Sequence, residues 1–238
     1  MFRSRVLDKI LVFTYTAGYR HSYITTAIEV LTRLGEKTNL FEVYATEDLE
    51  EFTNTTLNSS KAVLFLTSGD IPFSEEQKNL LIEFVESGGG FIGIHNAADT
   101  LYSYPRYGEM IGGYFHSHPW KQEAVFIVED TNHPATKHLP KRFKAYEEIY
   151  VFRNWIGRNR ARVLISLDTS SVDLSISSKD VRDYPMSWCH SYGDGRVFYT
   201  AFGHQVKRWR EEWFQNHILG GIVWVLDKEL LDRQTYRG

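Results

Sequence analysis

Histidine is the side chain that offers the most chemistry in this sequence. The chain of 238 residues has nine histidines, which is a high number for this length. An imidazole exchanges a proton near neutral pH, and its neutral form binds metals such as Zn, Fe, Ni or Mn. Several histidines follow predicted strands or lie in predicted loops: His21, His95, His116, His118, His190 and His204. Proton transfer and metal binding are therefore the chemistries to consider first.

Some of these histidines are expected to meet. His21 and His95 follow different predicted parallel strands, so they should converge at one edge of the sheet. His204 also leaves an apolar strand, but the sequence does not fix the direction of that strand in the sheet. Three histidines, or two with a carboxylate such as Glu148, would form an open site for a divalent ion such as Zn. His118 is a fourth candidate ligand. Because no His-Glu-x-x-His motif is present, metal binding and metal-free proton transfer both stay open.

The segment around His95 predicts a strand followed by a sharp turn. The glycines at 88–90 end a helix, Phe91 to Ile94 form a short apolar strand, and the chain then turns at His95-Asn96. Many α/β enzymes present a nucleophile on such a turn, and here the presented residue is a histidine. The glycines close a helix instead of opening one, so they are not a phosphate-binding loop. We expect no nucleotide cofactor.

The first hundred residues alternate between predicted strands and helices. Apolar runs predict strands at 9–14, 41–45, 62–66 and 91–94. Ser22 can cap a helix that runs to about Leu34, and Ser74 with Gln77 forms a possible capping box for a second helix. This alternation is typical of a doubly wound, mostly parallel sheet.

The second half of the chain is richer in β-structure. Further strands are predicted at 123–129, 147–152 and 162–168, followed by a hairpin of 185–191 and 196–202 around Gly193-Asp194-Gly195. The segment 102–118 is aromatic and glycine-rich, and it is predicted as a loop at its His116 to His118 end. A last helix is predicted over Trp209 to Leu226. The predicted fold class is α/β with a β-rich C-terminal half.

Composition and net charge bear on the number of domains, the partners and the location of the protein. The 238 residues contain 42% hydrophobic side chains and no linker or repeat, which predicts one domain over 1–238. A net charge of −3 gives no general attraction to nucleic acid or to an anionic membrane, so we expect neither as a partner. One cysteine, Cys189, and the lack of a long apolar run predict a soluble cytoplasmic protein.

Several short motifs, taken in order, carry a family resemblance. They are Thr16-Ala-Gly-Tyr-Arg-His21, the segment Gly88 to Asp99, His118-Pro119, Asp130 to Thr136, Glu147-Glu148-Ile-Tyr150, and Tyr192 to His204. From about residue 9 to residue 226 the chain resembles the ThuA-like (trehalose utilisation) family. The resemblance implies a class I glutamine amidotransferase-like fold, which is flavodoxin-like.

The resemblance also implies a difference from the amidotransferases. In those enzymes the turn after the corresponding strand bears a catalytic Cys, and a later strand leads to a catalytic His followed by a carboxylate. Here His95 stands at the Cys position, and His204 is followed by Gln205. A thiolate can form a covalent acyl intermediate, whereas an imidazole acts as a base or a ligand. Glutamine hydrolysis is therefore disfavoured.

The family implies a role in the breakdown of trehalose, sucrose and related sugars. Our first hypothesis is a sugar-modifying enzyme that isomerises or cleaves a disaccharide or its 3-keto derivative, with His95 and His204 as catalytic groups and Glu148 orienting one of them. The predicted substrate-binding residues are Arg20, His21, Asn96, Asp99 and Tyr107, with Tyr19 and Trp120 as further aromatic walls. The alternative is a non-catalytic carbohydrate-binding or sensing protein. Aromatic residues such as Trp209 could form a subunit interface, so a homo-oligomer is a further possibility.

Overall fold

The apolar runs of the sequence form the strands of a single mixed sheet. The structure is a computed structural model, and it describes residues 7–177 and 181–228. Within these residues the sheet has nine strands in the order β2-β1-β3-β4-β9-β8-β7-β5-β6. The strands are β1 (Asp8–Phe13), β2 (Phe41–Thr46), β3 (Ala62–Phe65), β4 (Gly90–Ile94), β5 (Tyr114–Val128), β6 (Arg142–Arg153), β7 (Arg162–Leu167), β8 (Pro185–Tyr192) and β9 (Gly195–Thr200).

One half of the sheet is parallel. β2, β1, β3, β4 and β9 all run in the same direction, so their carboxyl ends lie at the same edge. Every residue of β3 and β4 is buried, as expected for strands covered on both faces by helices. The predicted doubly wound sheet is confirmed for this half.

The other half is antiparallel. β9, β8, β7, β5 and β6 pair in alternating directions, and β8 with β9 forms the predicted hairpin. β5 starts at Tyr114, so His116 and His118 lie in a strand and not in the predicted loop. Two register shifts between Phe115 and Trp120 interrupt its pairing with β6. Such bulges accommodate Pro119, which cannot donate a ladder hydrogen bond.

Helices connect the strands and cover the sheet. They are α1 (Ile24–Thr38), α2 (Asn54–Asn58), α3 (Glu75–Glu86), α4 (Pro105–Ile111), α5 (Val206–Arg210) and α6 (Glu212–Val225). The predicted capping box of Ser74 and Gln77 is present at α3. The predicted cap at Ser22 is wrong, because α1 begins at Ile24 without a capping side chain. The predicted last helix is divided by Glu211, whose backbone is extended (φ −81°, ψ 129°).

The core contains polar groups whose partners explain their burial. His217 is fully buried in α6, where its Nδ1–H donates to the Ala135 carbonyl (2.7 Å) and its Nε2 accepts from the Thr200 hydroxyl (3.1 Å). It packs against β9 of the sheet. Burial raises the pKa of Cys189 to about 12, so its thiol behaves as a small buried hydrophobe. No helix in the described part of the chain is long and apolar enough to cross a membrane.

Candidate active site

The turn after β4 holds His95 in a strained backbone conformation. His95 has a φ of +49°, in the left-handed region that residues other than glycine rarely occupy. Two buried hydroxyls hold the turn in place, because Tyr199 donates to the His95 carbonyl (2.7 Å) and Tyr107 donates to the Ala97 carbonyl (2.6 Å). The chain continues as a short 3₁₀ turn, His95–Ala98. The predicted sharp turn is therefore present.

Three imidazoles converge at the carboxyl edge of the parallel strands. His21 follows β1, His95 follows β4 and His204 follows β9. One ring nitrogen from each lies within 4.8 Å of the other two. His95 Nε2 and His204 Nδ1 lie 3.2 Å apart. The predicted convergence of His21 and His95 is confirmed, and His204 joins them because β9 runs parallel to β4.

Hydrogen bonds assign the protons on His95. Its Nδ1 lies 2.8 Å from the Ala201 carbonyl, which can only accept, so Nδ1 carries a proton. In the neutral ring Nε2 then has a free lone pair, and it accepts a hydrogen bond from the Tyr150 hydroxyl at 3.1 Å. The His95 side chain is fully buried. Its Nε2 can therefore act as a base or as a metal ligand.

Glu148 places a carboxylate beside the imidazoles. Its Oε2 lies 3.0 Å from His204 Nδ1 and 3.6 Å from His95 Nε2, and its Oε1 accepts from Lys121 Nζ at 2.9 Å. Burial acts to raise the pKa of Glu148, but the adjacent side chains of His95, Lys121 and His204, which include the ammonium donor of Lys121, hold it well below its ordinary value. Glu148 is therefore ionised at neutral pH. It can orient the imidazoles and balance a positive charge on them.

Two of the imidazoles are neutral at neutral pH. Burial, reinforced by the neighbouring imidazoles of the cluster, lowers the pKa of His21 and that of His204 to about 4. The buried Nδ1 of His21 has no hydrogen-bond partner among the residues that the structure describes. Ligand nitrogens of a tetrahedral zinc site with bonds of about 2.0–2.1 Å lie about 3.3 Å apart. The 3.2 Å between His95 Nε2 and His204 Nδ1, with one ring nitrogen of His21 within 4.8 Å of the ligand atoms of the other two, therefore fits a divalent metal ion.

An open cavity of about 400 Å³ lies above the cluster. Its walls are Gly18, Tyr19, His21, Ser68, Gly69, Asn96, Asp99, Phe115, His118, Lys121, Glu148, Tyr150 and His204. Asn96 is 6% exposed, and its buried Oδ1 finds no partner within the described chain. Burial raises the pKa of Asp99, which accepts a hydrogen bond from Tyr102. The cavity thus combines unpaired polar groups with aromatic surface.

The structure corrects some of the predicted site residues. Tyr107 is fully buried with its hydroxyl bonded to the turn, so it supports the site and does not line the cavity. Arg20 is exposed and pairs with Glu47 (2.5 Å), which directs it away from the lining. Trp120 is buried and donates to the Asp173 carbonyl. His118 lines the cavity but is not part of the histidine group.

Among the cavity residues missed at the sequence level, Tyr150 and Lys121 contact the cluster directly. Tyr150 lies two residues after Glu148 on β6, and residues two apart in a strand share a face. That signal was present in the sequence. Lys121 lies directly opposite Glu148 in the register of β5 and β6. It was missed because the predicted strand begins only at Glu123, so Lys121 was not placed opposite Glu148.

Solved structures share this fold. A ThuA-like protein from Bacteroides uniformis is 23% identical with a TM-score of 0.75, covering 94% of this chain and 93% of that one. A cytoplasmic protein of Salmonella typhimurium LT2 is 12% identical (TM-score 0.61; 91% and 99% covered). A β-galactosidase from Bacillus circulans sp. alkalophilus is 13% identical (TM-score 0.54), covering 92% of this chain and 30% of that one. At these identities the similarity establishes the α/β, amidotransferase-like fold alone.

Sequence comparison identifies the family. No curated protein sequence matches the chain. Residues 9–225 match the sequence profile of the ThuA family, which is described as trehalose utilisation. This match spans both halves of the sheet and includes all three converging histidines. The resemblance predicted from the short motifs is thereby confirmed, and the chain belongs to the ThuA, or trehalose utilisation, family.

Proposed function

We propose that this protein is an enzyme that modifies a sugar, either a trehalose- or sucrose-type disaccharide or its 3-keto derivative. The observation that carries the proposal is the group of His21, His95 and His204 with ionised Glu148 at the floor of an open cavity. Buried imidazoles with free lone pairs are suited to proton transfer or metal binding. Membership of the trehalose utilisation family supports a sugar as the ligand.

The cavity walls suit a carbohydrate. Tyr19 and Phe115 present aromatic surface, on which the apolar face of a sugar ring can stack. Asn96 contributes a buried amide oxygen that needs a donor, and a sugar hydroxyl is such a donor. Asp99 adds a carboxyl group to the same wall. These groups support binding of a polyhydroxylated ligand through stacking and hydrogen bonds.

A 3-keto sugar would give the histidines a reaction to catalyse. The hydrogens on carbons next to a ketone are acidic, and His95 Nε2 can accept one of them as a proton. The electron pair of the broken C–H bond then forms an enolate with the ketone oxygen. If a proton adds to the former carbonyl carbon and the hydroxyl on the deprotonated carbon loses its proton, the ketone moves and an isomer forms. If the glycosidic oxygen instead leaves the β-carbon with its bonding electrons and takes a proton from protonated His95, the glycoside is cleaved and an unsaturated ketone remains. Glu148 balances the charge on protonated His95.

A divalent ion such as Zn²⁺ would be held by His21, His95 and His204. When bound, such an ion supplies Lewis acidity that polarises a carbonyl oxygen. With His95 engaged as a ligand, Glu148 is the adjacent ionised group that can accept the proton. The imidazole cluster is required in both forms of the site.

The test combines metal analysis with a proton-exchange assay. The metal content of the purified protein is measured, and trehalose, sucrose and their 3-keto derivatives are incubated with the protein in D₂O and followed by NMR. We expect deuterium uptake next to the ketone, followed by isomerisation or cleavage, and loss of both in His95→Ala and His204→Ala. Unchanged turnover in these variants would contradict the proposal. Sugar binding without turnover or metal would instead identify a binding or sensing protein.

A further inference from the structure

Lys121 makes two contacts with the candidate site. Its Nζ donates to Glu148 Oε1 (2.9 Å) and lies 3.4 Å from His204 Nε2. The two atoms that Lys121 contacts, Glu148 Oε1 and His204 Nε2, are not the atoms through which these side chains approach His95. The other atoms, Glu148 Oε2 and His204 Nδ1, lie 3.0 Å from each other, and His204 Nδ1 faces His95. Lys121 therefore contacts the cluster from the side opposite to His95.

The contacts determine which nitrogen of His204 carries the proton. An ammonium group can only donate, so His204 Nε2 must accept with its lone pair. The proton of the neutral ring is then on Nδ1. The carboxylate of Glu148 leads to the same assignment, because it can only accept and lies 3.0 Å from Nδ1. Lys121 and Glu148 together select the Nδ1–H tautomer of His204.

This tautomer opposes metal binding at His204. A metal ion needs a lone pair, but Nδ1 is protonated and the lone pair of Nε2 is engaged by Lys121. Moving the proton to Nε2 would free Nδ1, but Nε2–H would then face the Lys121 ammonium, donor against donor. His95 has a weaker conflict, because its Nδ1–H donates to Ala201 and its Nε2 lone pair accepts only from the Tyr150 hydroxyl, whose O–H can rotate away. His204 is thus a ligand only when Lys121 withdraws.

We propose that Lys121 and a divalent metal ion engage His204 in mutually exclusive states, so that Lys121 controls the metal affinity of the cluster. The inference rests on the metal-binding form of the proposed function. Withdrawal of Lys121 is feasible, because its side chain is 50% exposed at the cavity. In this proposal the position of the Lys121 side chain decides whether His204 coordinates the metal ion together with His21 and His95.

The experiment measures Zn²⁺ affinity by competition with a chelator in three proteins. Lys121→Met removes the ammonium and keeps the length of the side chain. Lys144→Met is the matched control, because Lys144 is an exposed lysine on β6 that pairs with Glu123 at 3.7 Å. We expect Lys121→Met to bind Zn²⁺ about 10- to 100-fold more tightly than the wild type, the usual range for groups that contact metal ligands. Lys144→Met should match the wild type.

Two further measurements separate this role from a structural one. In a Lys121→Met/His204→Ala double variant, the gain in affinity should disappear, since it acts through His204. The ¹⁵N NMR shifts of His204 in metal-free protein should indicate Nδ1–H in the wild type and a shift toward Nε2–H in Lys121→Met. This tautomer readout needs neither metal nor sugar.

The outcomes distinguish this inference from the proposed function. Equal or weaker Zn²⁺ binding by Lys121→Met, or an unchanged His204 tautomer, would overturn the role of Lys121 while leaving a metal site in place. Binding by Lys121→Met but not by the wild type would support the inference. Absence of binding in every variant would overturn both the inference and the metal-assisted form of the reaction.

Discussion

The two halves of the sheet contribute functional groups in different ways. The parallel half contributes His21, His95 and His204 from the segments that follow three of its strands. The antiparallel half contributes Glu148 and Lys121 from the faces of paired strands. In the first case convergence follows from strand direction, because all carboxyl ends lie at one edge. In the second case it depends on register, because alternate residues of a strand face opposite sides.

Two consecutive carboxylates on β6 illustrate the dependence on register. Glu148 faces the cavity, whereas Glu147 is fully buried on the other side and accepts from Arg208 Nε at 3.0 Å. Burial raises the pKa of Glu147, whereas hydrogen bonds hold that of Glu148 well below its ordinary value. A shift of β6 by one residue would exchange their places. The register thus decides which carboxylate meets the imidazoles.

The largest expected effect concerns the parallel half. His95→Gln removes the imidazole that can accept a proton, so turnover of a confirmed keto-sugar substrate should fall by about 10²- to 10⁴-fold. Steady-state kinetics would measure the loss, with His116→Gln as the control because His116 is exposed on β5 outside the cavity lining. Equal losses of turnover in both variants would contradict a specific catalytic role of His95.

The next effect tests the antiparallel half. Glu148→Gln removes the charge beside His95 and His204, so the affinity of the cluster for Zn²⁺ should fall by about 10- to 100-fold. Calorimetric titration would measure the change, and Glu123→Gln on the neighbouring strand serves as an exposed control. If Glu148→Gln binds Zn²⁺ as tightly as the wild type, the carboxylate that the register of β6 places beside the imidazoles does not contribute to metal binding.

A third prediction separates a structural histidine from those of the cavity. Burial lowers the pKa of His217 from 6.5 to about 3. Because the folded pKa is below the ordinary value, the neutral ring stabilises the fold fully above pH 6.5, and this stabilisation is lost as the pH falls toward 3. His217→Gln keeps both kinds of hydrogen bond but cannot titrate. Between pH 6.5 and 3, the free energy of unfolding of His217→Gln should therefore fall less steeply than that of the wild type. The two slopes should differ by about 1.4 kcal/mol per pH unit.

Urea unfolding of both proteins between pH 6.5 and 3 would test this prediction. His217→Gln should resemble the wild type near pH 7 and differ increasingly in acid. Parallel pH profiles would mean that other groups, such as His133, with a pKa lowered by burial to about 4, account for the acid sensitivity.

The smallest expected effect is at the rim of the cavity. Tyr19 is 71% exposed with its ring edge on His21, at a centroid distance of 4.9 Å. Loss of one aromatic stacking contact, worth about 0.5–1.5 kcal/mol, should raise KM about 2- to 10-fold in Tyr19→Ala and leave kcat unchanged. The exposed Tyr44 on β2 provides the control variant Tyr44→Ala. A fall in kcat would indicate that Tyr19 takes part in the chemistry.

Local patterns in the sequence were sufficient for the parallel half. Short apolar runs identified its strands, and Ser74 with Gln77 identified the start of α3. The order of these elements led to the convergence of His21 and His95, because parallel strands bring their carboxyl ends together. The direction of β9, and with it the position of His204, was decided by its parallel pairing with β4. Such features depend on residues close in the chain or on topology that the element order determines.

Other features were decided by contacts between distant segments. His118, Pro119 and Lys121 look like loop residues, and only pairing with β6 makes them part of a strand. Tyr107 and Arg20 lie near the site in sequence, but packing directs one into the core and an ion pair draws the other outward. The sequence by itself determined which elements meet at the edge of the sheet. The tertiary structure decided where each side chain points, because the direction of a side chain depends on strand register and on the partners that packing provides.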